Sequence, residues 1–135
     1  TLLDFATLTG AARVALGPEI AALFTPDDTL ATALAASGQR VADPVWRLPL
    51  WPAYGEGLQS TVADLGNVSD GPFAGSITAA LFLQRFVTET RCWAHFDLYG
   101  WSASTRPGRP RGGEATTLRA CIDWVLQRFG NGARS

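Results

Sequence analysis

The chain has no methionine, two cysteines and a single histidine in 135 residues. Without methionine, Thr1 is not an initiator, and the chain opens directly on a strand-like apolar run from Leu2 to Leu8. Both features are expected of a piece of a longer protein. Cys92 and Cys121 are too few for a disulfide framework, and no secretory signal precedes them. A reduced, cytoplasmic setting is the expectation. No apolar run approaches the roughly 20 residues that span a bilayer, so no membrane partner is expected. Charge of either sign is also scarce in excess: the formal net charge is −1. That balance calls for neither nucleic acid nor an acidic membrane surface.

What is present suits a globular domain. The length is that of one domain, and 47% hydrophobic residues against 17% charged supply a core. Residues 2–8 read as a short buried strand ending in a turn signal at Thr9-Gly10. Residues 11–16 read as a short helix stopped by Gly17-Pro18. The next helix is read with Thr25 as N-cap, Pro26 at its first position, and Asp27 and Asp28 at its positive end. Leu30, Ala33 and Leu34 form its apolar face, and Gly38 is its expected stop.

Residues 44–54 hold three prolines, so they read as an extended segment turning into a short helix. From Ser60 to Gly75 the composition predicts a long loop, a place where function often sits. Ser76 to Val87 reads as a helix apolar nearly all round, hence buried on most sides. Residues 92–98 read as a strand with Trp93, His95 and Asp97 on one face and Cys92, Ala94, Phe96 and Leu98 on the other. A Pro/Gly/Arg-rich loop covers 102–113. A final helix from about Glu114 to Phe129 shows an apolar stripe of Leu118, Cys121, Ile122, Val125 and Phe129. Gly130 ends it, and 131–135 are expected to fray. Two or three strands separated by helices predict an α/β fold, a partial three-layer α/β/α sandwich.

Several constellations invite chemistry. Cys92 and His95 fall on opposite strand faces, so they cannot share a metal or a proton. His95 and Asp97 share a face but are one ligand short of a catalytic zinc site. Packing is the preferred reading for all three. Arg106, Arg109 and Arg111 make a basic loop able to meet phosphates, although a solvated loop or subunit contact fits better. Gly112-Gly113-Glu114 reads as a helix cap. Asp64 and Asn67 read as loop pins. Thr7 to Gly10 ends a buried strand, where ligands sit in open α/β sheets.

Taken in order, five motifs resemble one family. Asp4-Phe5-Ala6-Thr7-Leu8-Thr9-Gly10-Ala11 resembles Asp-apolar-Ala-Thr-Leu-Thr-Gly-Ala. Trp46-Arg47-Leu48-Pro49-Leu50 is similar to Trp-Arg-Leu/Met-Pro-Leu, and Ala63-Asp64 with Asn67 to Ala-Asp-x-x-Asn. Gly75 to Phe86 resembles Gly-x-x-x-Ala-Ala-x-Phe-Leu-x-x-Phe, and Trp93-Ala94-His95-Phe96-Asp97 resembles Trp-x-His-apolar-Asp. The family is that of the leucyl (cytosol) aminopeptidases. The resemblance covers residues 1 to about 129 and places 1–135 in the C-terminal part of the catalytic domain.

The resemblance implies a two-metal enzyme, using zinc or manganese, that removes N-terminal residues from peptides and assembles as a homohexamer. The family's metal ligands are a lysine and several carboxylates upstream of the Ala-Thr-Leu-Thr-Gly motif, and this chain has neither that lysine nor the Asn-Thr-Asp-Ala-Glu-Gly-Arg segment. No catalytic or metal residue carries over, and no metal is expected in these residues alone. Substrate-binding positions do carry over: Thr7, Leu8 through its carbonyl, Gly10 through its backbone, Val68 on the leaving-group side, and Tyr99 and Ser102 around the N-terminal side chain. Here the sequence departs from the family, because Tyr99 replaces a small residue and Ser102 stands where a Met occurs. Large aliphatic residues are therefore expected to fit less well. The rival expectation is a non-catalytic module acting through oligomer assembly.

Overall fold

The structure, a computed structural model, describes residues 1–68, 71–90 and 92–130. The tail expected to fray, 131–135, lies outside these residues. The first strand, β1 (Leu2–Ala6), runs into α1 (Gly10–Leu16), then β2 (Ala21–Phe24) and α2 (Asp28–Arg40). β3 (Val45–Arg47) is followed by a 3-10 helix (Pro52–Leu58) and α3 (Gly75–Gln84). β4 (Trp93–Asp97), β5 (Trp101–Ser102), β6 (Gly112–Gly113) and α4 (Leu118–Phe129) complete the described order.

Four strands form one mixed sheet in the order β1-β4-β2-β3. β1 lies parallel to β4, with Asp4 beside His95 and Ala6 beside Asp97. β2 runs antiparallel to β4 and parallel to β3. β2 has no counterpart in the sequence reading, which placed two or three strands. Its four residues, Ala-Ala-Leu-Phe, are all buried, because helices cover both faces. A strand buried on both faces shows no alternation to read.

That double covering makes the α/β/α layering. Ala21, Leu23, Ala94 and Phe96 point to one side and pack with Leu30, Ala31, Leu34, Cys121 and Trp124 of α2 and α4. Ala22 and Phe24 point to the other side and pack with Ala12 of α1 and Ala80 of α3. The strand period of two sorts the side chains between the layers. Each fully buried Leu or Phe stabilises the fold by about 1.5–3 kcal/mol.

The α2 boundaries differ from those read in the sequence. Asp27, not Thr25, is the N-cap, and its carboxylate accepts from the Leu30 amide at 3.0 Å. Thr25 instead uses its hydroxyl to accept from the Asp27 amide at 3.1 Å. The helix also runs through Gly38 to Arg40. Gly38 serves close approach, not termination: a Cβ there would lie 2.7 Å from the Asp43 carbonyl oxygen. Past that point the Arg40 guanidinium is tied to Ser37 Oγ and Asp123, each within 2.8 Å. That hydrogen bond is also the main reason the Asp123 carboxyl is held below its ordinary range.

The expected start and apolar stripe of α4 are corrected as well. Gly112 and Gly113 pair with β5 in a small antiparallel hairpin instead of capping a helix. The cap comes from a distant residue. Buried Asp43 accepts from the Thr117, Arg119 and Ala120 amides at 3.0, 2.9 and 3.2 Å. Those bonds hold Thr117 at φ 72°, an outlier for a β-branched residue. With the N-terminus anchored there and Asp123 clasped by Arg40, the helix turns Ala120, Cys121 and Trp124 inward. Leu118, Ile122, Val125 and Phe129 of the predicted stripe stay at the surface of this chain.

Asp43→Ala is expected to destabilise the chain by roughly 1.5–3 kcal/mol, because it strands three amide donors. Urea denaturation followed by circular dichroism measures this, and a loss below about 0.5 kcal/mol means the amides find other acceptors. Burial, with the Asp43 charge adding, pushes the Cys121 thiol up from 9.0 to about 12. The unfolded thiol ionises near 9.0 while the folded one keeps its proton. This contribution to stability is therefore full below pH 9 and is lost as pH rises towards 12. Mass mapping after iodoacetamide treatment at pH 9.5 should find Cys121 unmodified in folded protein and modified in urea.

Candidate functional site

The candidate site is built on the carboxyl end of the β1–β4 pair. Because Ala6 and Asp97 are register partners, the last side chain of β4 sits directly beneath the turn that leaves β1. Asp97 is 1% exposed. Its Oδ1 accepts from the Leu8 and Thr9 amides, both at 3.2 Å. Its Oδ2 accepts from the Thr9 hydroxyl at 2.6 Å and from the Ser76 hydroxyl of α3 at 2.9 Å. A buried carboxylate needs such donors to remain tolerable. Here they come from the turn itself, so satisfying the charge fixes the turn.

Thr9 passes the constraint on. Its hydroxyl also accepts from the Ala12 amide at 3.3 Å, which makes Thr9 the N-cap of α1. On the other side, β4 leaves through Leu98-Tyr99-Gly100. Gly100 has φ 65°, and a Cβ there would lie 3.2 Å from Leu98 Cδ1 and 3.4 Å from Thr7 Cγ2. Only glycine allows that approach at that angle.

The two turns flank an open cleft of about 330 Å³ lined by residues 7–10, Arg13, Leu98 and Tyr99. Thr7, Leu8, Gly10 and Tyr99, which the sequence reading singled out, are thus brought together. The other two are not. Ser102 is buried and its hydroxyl donates to the Ser104 carbonyl at 2.8 Å. It lines a neighbouring cavity of about 480 Å³ with Arg106 and Arg109. Val68 is exposed in the long loop, outside the lining of the cleft. A larger cavity, about 820 Å³, opens between Thr25, Leu48 to Leu50 and α3. It lies at the opposite end of the sheet, since β2 runs against β4. Strand-end position and the anchored backbone favour the smaller cleft despite its volume.

Arg13, which no sequence motif marks, places its guanidinium carbon 4.7 Å from the centre of the Tyr99 ring. Such a contact stabilises by about 0.5–1 kcal/mol at an exposed site. Asp97 and His95 share a strand face, as the alternation predicts. The two side chains serve different partners. His95 Nδ1 meets Asp4 Oδ1 at 2.5 Å, and Asp4 Oδ2 accepts from Trp93 Nε1 at 2.6 Å. Nδ1 carries the proton, since a carboxylate has none to give. His95 Nε2 has no protein partner among the described residues.

These donor sets do not fit a metal ion. Asp97 is filled by its four hydrogen bonds, and both oxygens of Asp4 are engaged by Trp93 and His95. Among the described residues no three His, Cys, Asp or Glu side chains gather in one place. The basic loop is partly neutralised, Arg106 by Glu19 and Arg109 by Glu114. No helix among the described residues is long and apolar enough to cross a membrane.

Asp97→Asn keeps the shape but places donors where donors already point. It is expected to cost roughly 1.5–3 kcal/mol of stability, and Ser76→Ala less. The double variant in a denaturation cycle should show coupling, since both act on one carboxylate. Additive losses would mean that Ser76 and Asp97 contribute independently.

Comparison with known proteins identifies the framework. The sequence pattern described as "Cytosol aminopeptidase family, catalytic domain" matches residues 1–122. A probable cytosol aminopeptidase of Synechococcus sp. (strain JA-2-3B'a(2-13)) is 48% identical over 130 residues, covering 94% of this chain and 25% of that protein. The crystal structure of the Coxiella burnetii cytosol aminopeptidase superposes with TM-score 0.88 at 53% identity, over 94% of this chain and 28% of that one. The bottromycin maturation enzyme BotP, solved in complex with Mn, gives TM-score 0.83 at 39% identity, over 93% and 28%. The chain spans about a quarter of the length of the curated relatives it matches. With nearly its whole length matched at this identity, the chain belongs to the cytosol aminopeptidase family and lies in its catalytic domain.

Proposed function

We propose that this chain is the substrate-facing C-terminal part of the catalytic domain of a two-metal aminopeptidase, which hydrolyses the N-terminal peptide bond of peptides. The observation that carries the reading is the cleft at the carboxyl end of β1 and β4, where a buried carboxylate fixes two adjacent amides of the turn. In this reading Thr7, Leu8 and Gly10 offer backbone and hydroxyl contacts to the peptide. Tyr99 walls the space for its N-terminal side chain. Ser102 lines the neighbouring cavity and Val68 stands exposed in the long loop, so in this reading neither meets the N-terminal side chain within the cleft.

The two divalent ions, zinc or manganese, activate water and polarise the scissile carbonyl when bound. Their ligands belong to other parts of the parent protein. What this chain contributes is positioning: a rigid turn holds the peptide backbone so that little freedom is lost at the reacting bond.

A second reading is favoured by one observation. β1 is an edge of the sheet, and its Leu2 and Phe5 are 44% and 49% exposed. Unpaired apolar edges draw partners. An assembly role for the chain, as a non-catalytic module, would use that edge. In the peptidase reading the rest of the catalytic domain pairs with it, and the parent assembles as a homo-oligomer, a hexamer in the family.

Full-length protein is expected to bind about two divalent ions per subunit and to release N-terminal residues from peptides. The chain 1–135 alone is expected to bind none stoichiometrically and to turn over nothing. Metal analysis by mass spectrometry, with a peptide assay in added zinc or manganese, checks both. Stoichiometric metal and turnover in the short chain would overturn the division of labour. An inactive full-length protein that still assembles would favour the second reading.

A further inference from the structure

We propose that Arg13 selects substrates whose N-terminal residue bears a side-chain carboxylate, so that the cleft is a subsite for acidic N-terminal residues. The inference rests on the peptidase reading above and names a substrate class for that site.

The geometry starts from the helix. Thr9 caps α1, and Arg13 lies four residues on, one turn along the same face. Helical side chains lean back towards the N-terminus, so Arg13 leans over the turn that forms the cleft. Its long side chain is given one resting place, the face of Tyr99, 4.7 Å from guanidinium carbon to ring centre. An aromatic face orients a guanidinium without cancelling its charge. A guanidinium over an aromatic ring can still offer N–H groups for a two-point contact with a carboxylate.

Among the described residues no carboxylate takes that place. None of the residues lining the cleft is acidic. Asp97, beneath the same turn, is filled by four donors and buried. Among the described residues, Arg40, Arg47, Arg106, Arg109 and Arg119 each have a carboxylate within 4 Å, whereas Arg13, Arg85, Arg111 and Arg128 do not. Of these four, Arg13 is the one that lies over an aromatic ring at the cleft. A cationic wall in a cleft of about 330 Å³ asks for a small anionic group, and the Tyr99 side of the cleft is where the N-terminal side chain is placed. Leucine there would meet a guanidinium edge with nothing to offer it. Glutamate or aspartate would pair with it.

The test uses the full-length enzyme with aminoacyl p-nitroanilides of Glu, Gln and Leu. These carry no C-terminal carboxylate, so any effect of an anion belongs to the side chain. Wild-type protein should show a higher kcat/KM for Glu than for Gln, with the advantage shrinking as salt rises. Arg13→Gln should lower the Glu-to-Gln ratio by about ten- to a hundredfold, and Arg13→Lys should restore part of it. A ratio that Arg13→Gln leaves unmoved, or a wild type that prefers Gln, overturns the proposal. Calorimetry with free L-glutamate and L-glutamine on the same proteins provides a readout that needs no turnover. Should no anilide be cleaved, the peptidase reading fails. Arg13 is then judged by binding: tighter glutamate binding lost in Arg13→Gln supports the subsite, and equal binding of the two overturns it. Unchanged melting temperatures tie either effect to the subsite.

Discussion

The candidate site depends on one carboxylate. Asp97 sits where charge is most costly to bury, at the end of a strand covered on both faces, and four donors surround it. Three of the four come from Leu8 and Thr9 and one from α3. The charge cannot be satisfied unless β1, the turn, α1 and α3 all stand in their native places. Satisfaction of a buried charge is close to all-or-none, which gives the turn a definition that loop contacts alone seldom supply. The parallel register that sets Ala6 beside Asp97 makes this possible, and it brings together residues 89 positions apart in sequence.

Asp43 repeats the device on the other layer. It lies after α2, yet its carboxylate gathers three amides at the start of α4. The close packing at Gly38, whose neighbour is the Asp43 carbonyl, fixes where that carboxylate stands. Arg40 and Asp123 then clasp the two helices further along. So each helical layer is indexed to the sheet by a buried aspartate, and apolar packing fills in around these fixed points. Hydrophobic burial supplies most of the stabilisation, but it is not directional. The aspartates supply direction.

This division explains what could be read from the sequence. β1, α1, α3 and β4 were legible because their signals are local, an apolar run with a turn or a Trp-Ala-His-Phe-Asp stretch with alternating faces, although β1, expected to be buried, is a sheet edge with Leu2 and Phe5 exposed. The layered α/β class followed from their alternation. β2 was not legible, being four residues long and buried on both sides. The start of α4 was not legible either, since its cap is Asp43, more than seventy residues away. Nor was its inward face, because the stripe Leu118, Ile122, Val125 and Phe129 is as apolar as the face the anchors select. At the site, the Thr7 to Gly10 turn was visible as a strand end, whereas Arg13 looked like any solvated helical arginine. Only the fold brings it over Tyr99.

The cleft joins two kinds of structure with different freedom to change. Its floor is main chain, held by Asp97 from below and by the Gly100 turn at the side. Alteration of the floor disturbs a buried charge and the packing of two layers. Its wall is side chain: Tyr99 follows β4 at a half-buried position, and Arg13 projects from the outer surface of α1. Neither contributes to the sheet core or to the anchoring of Asp97. Replacement of either alters the size or charge of the space above the turn while the turn stays put. A framework whose backbone is fixed by buried aspartates can therefore keep the geometry of its turn while the side chains above it vary. Arg13 over the Tyr99 ring forms such a wall, built from two side chains that the fold alone brings together.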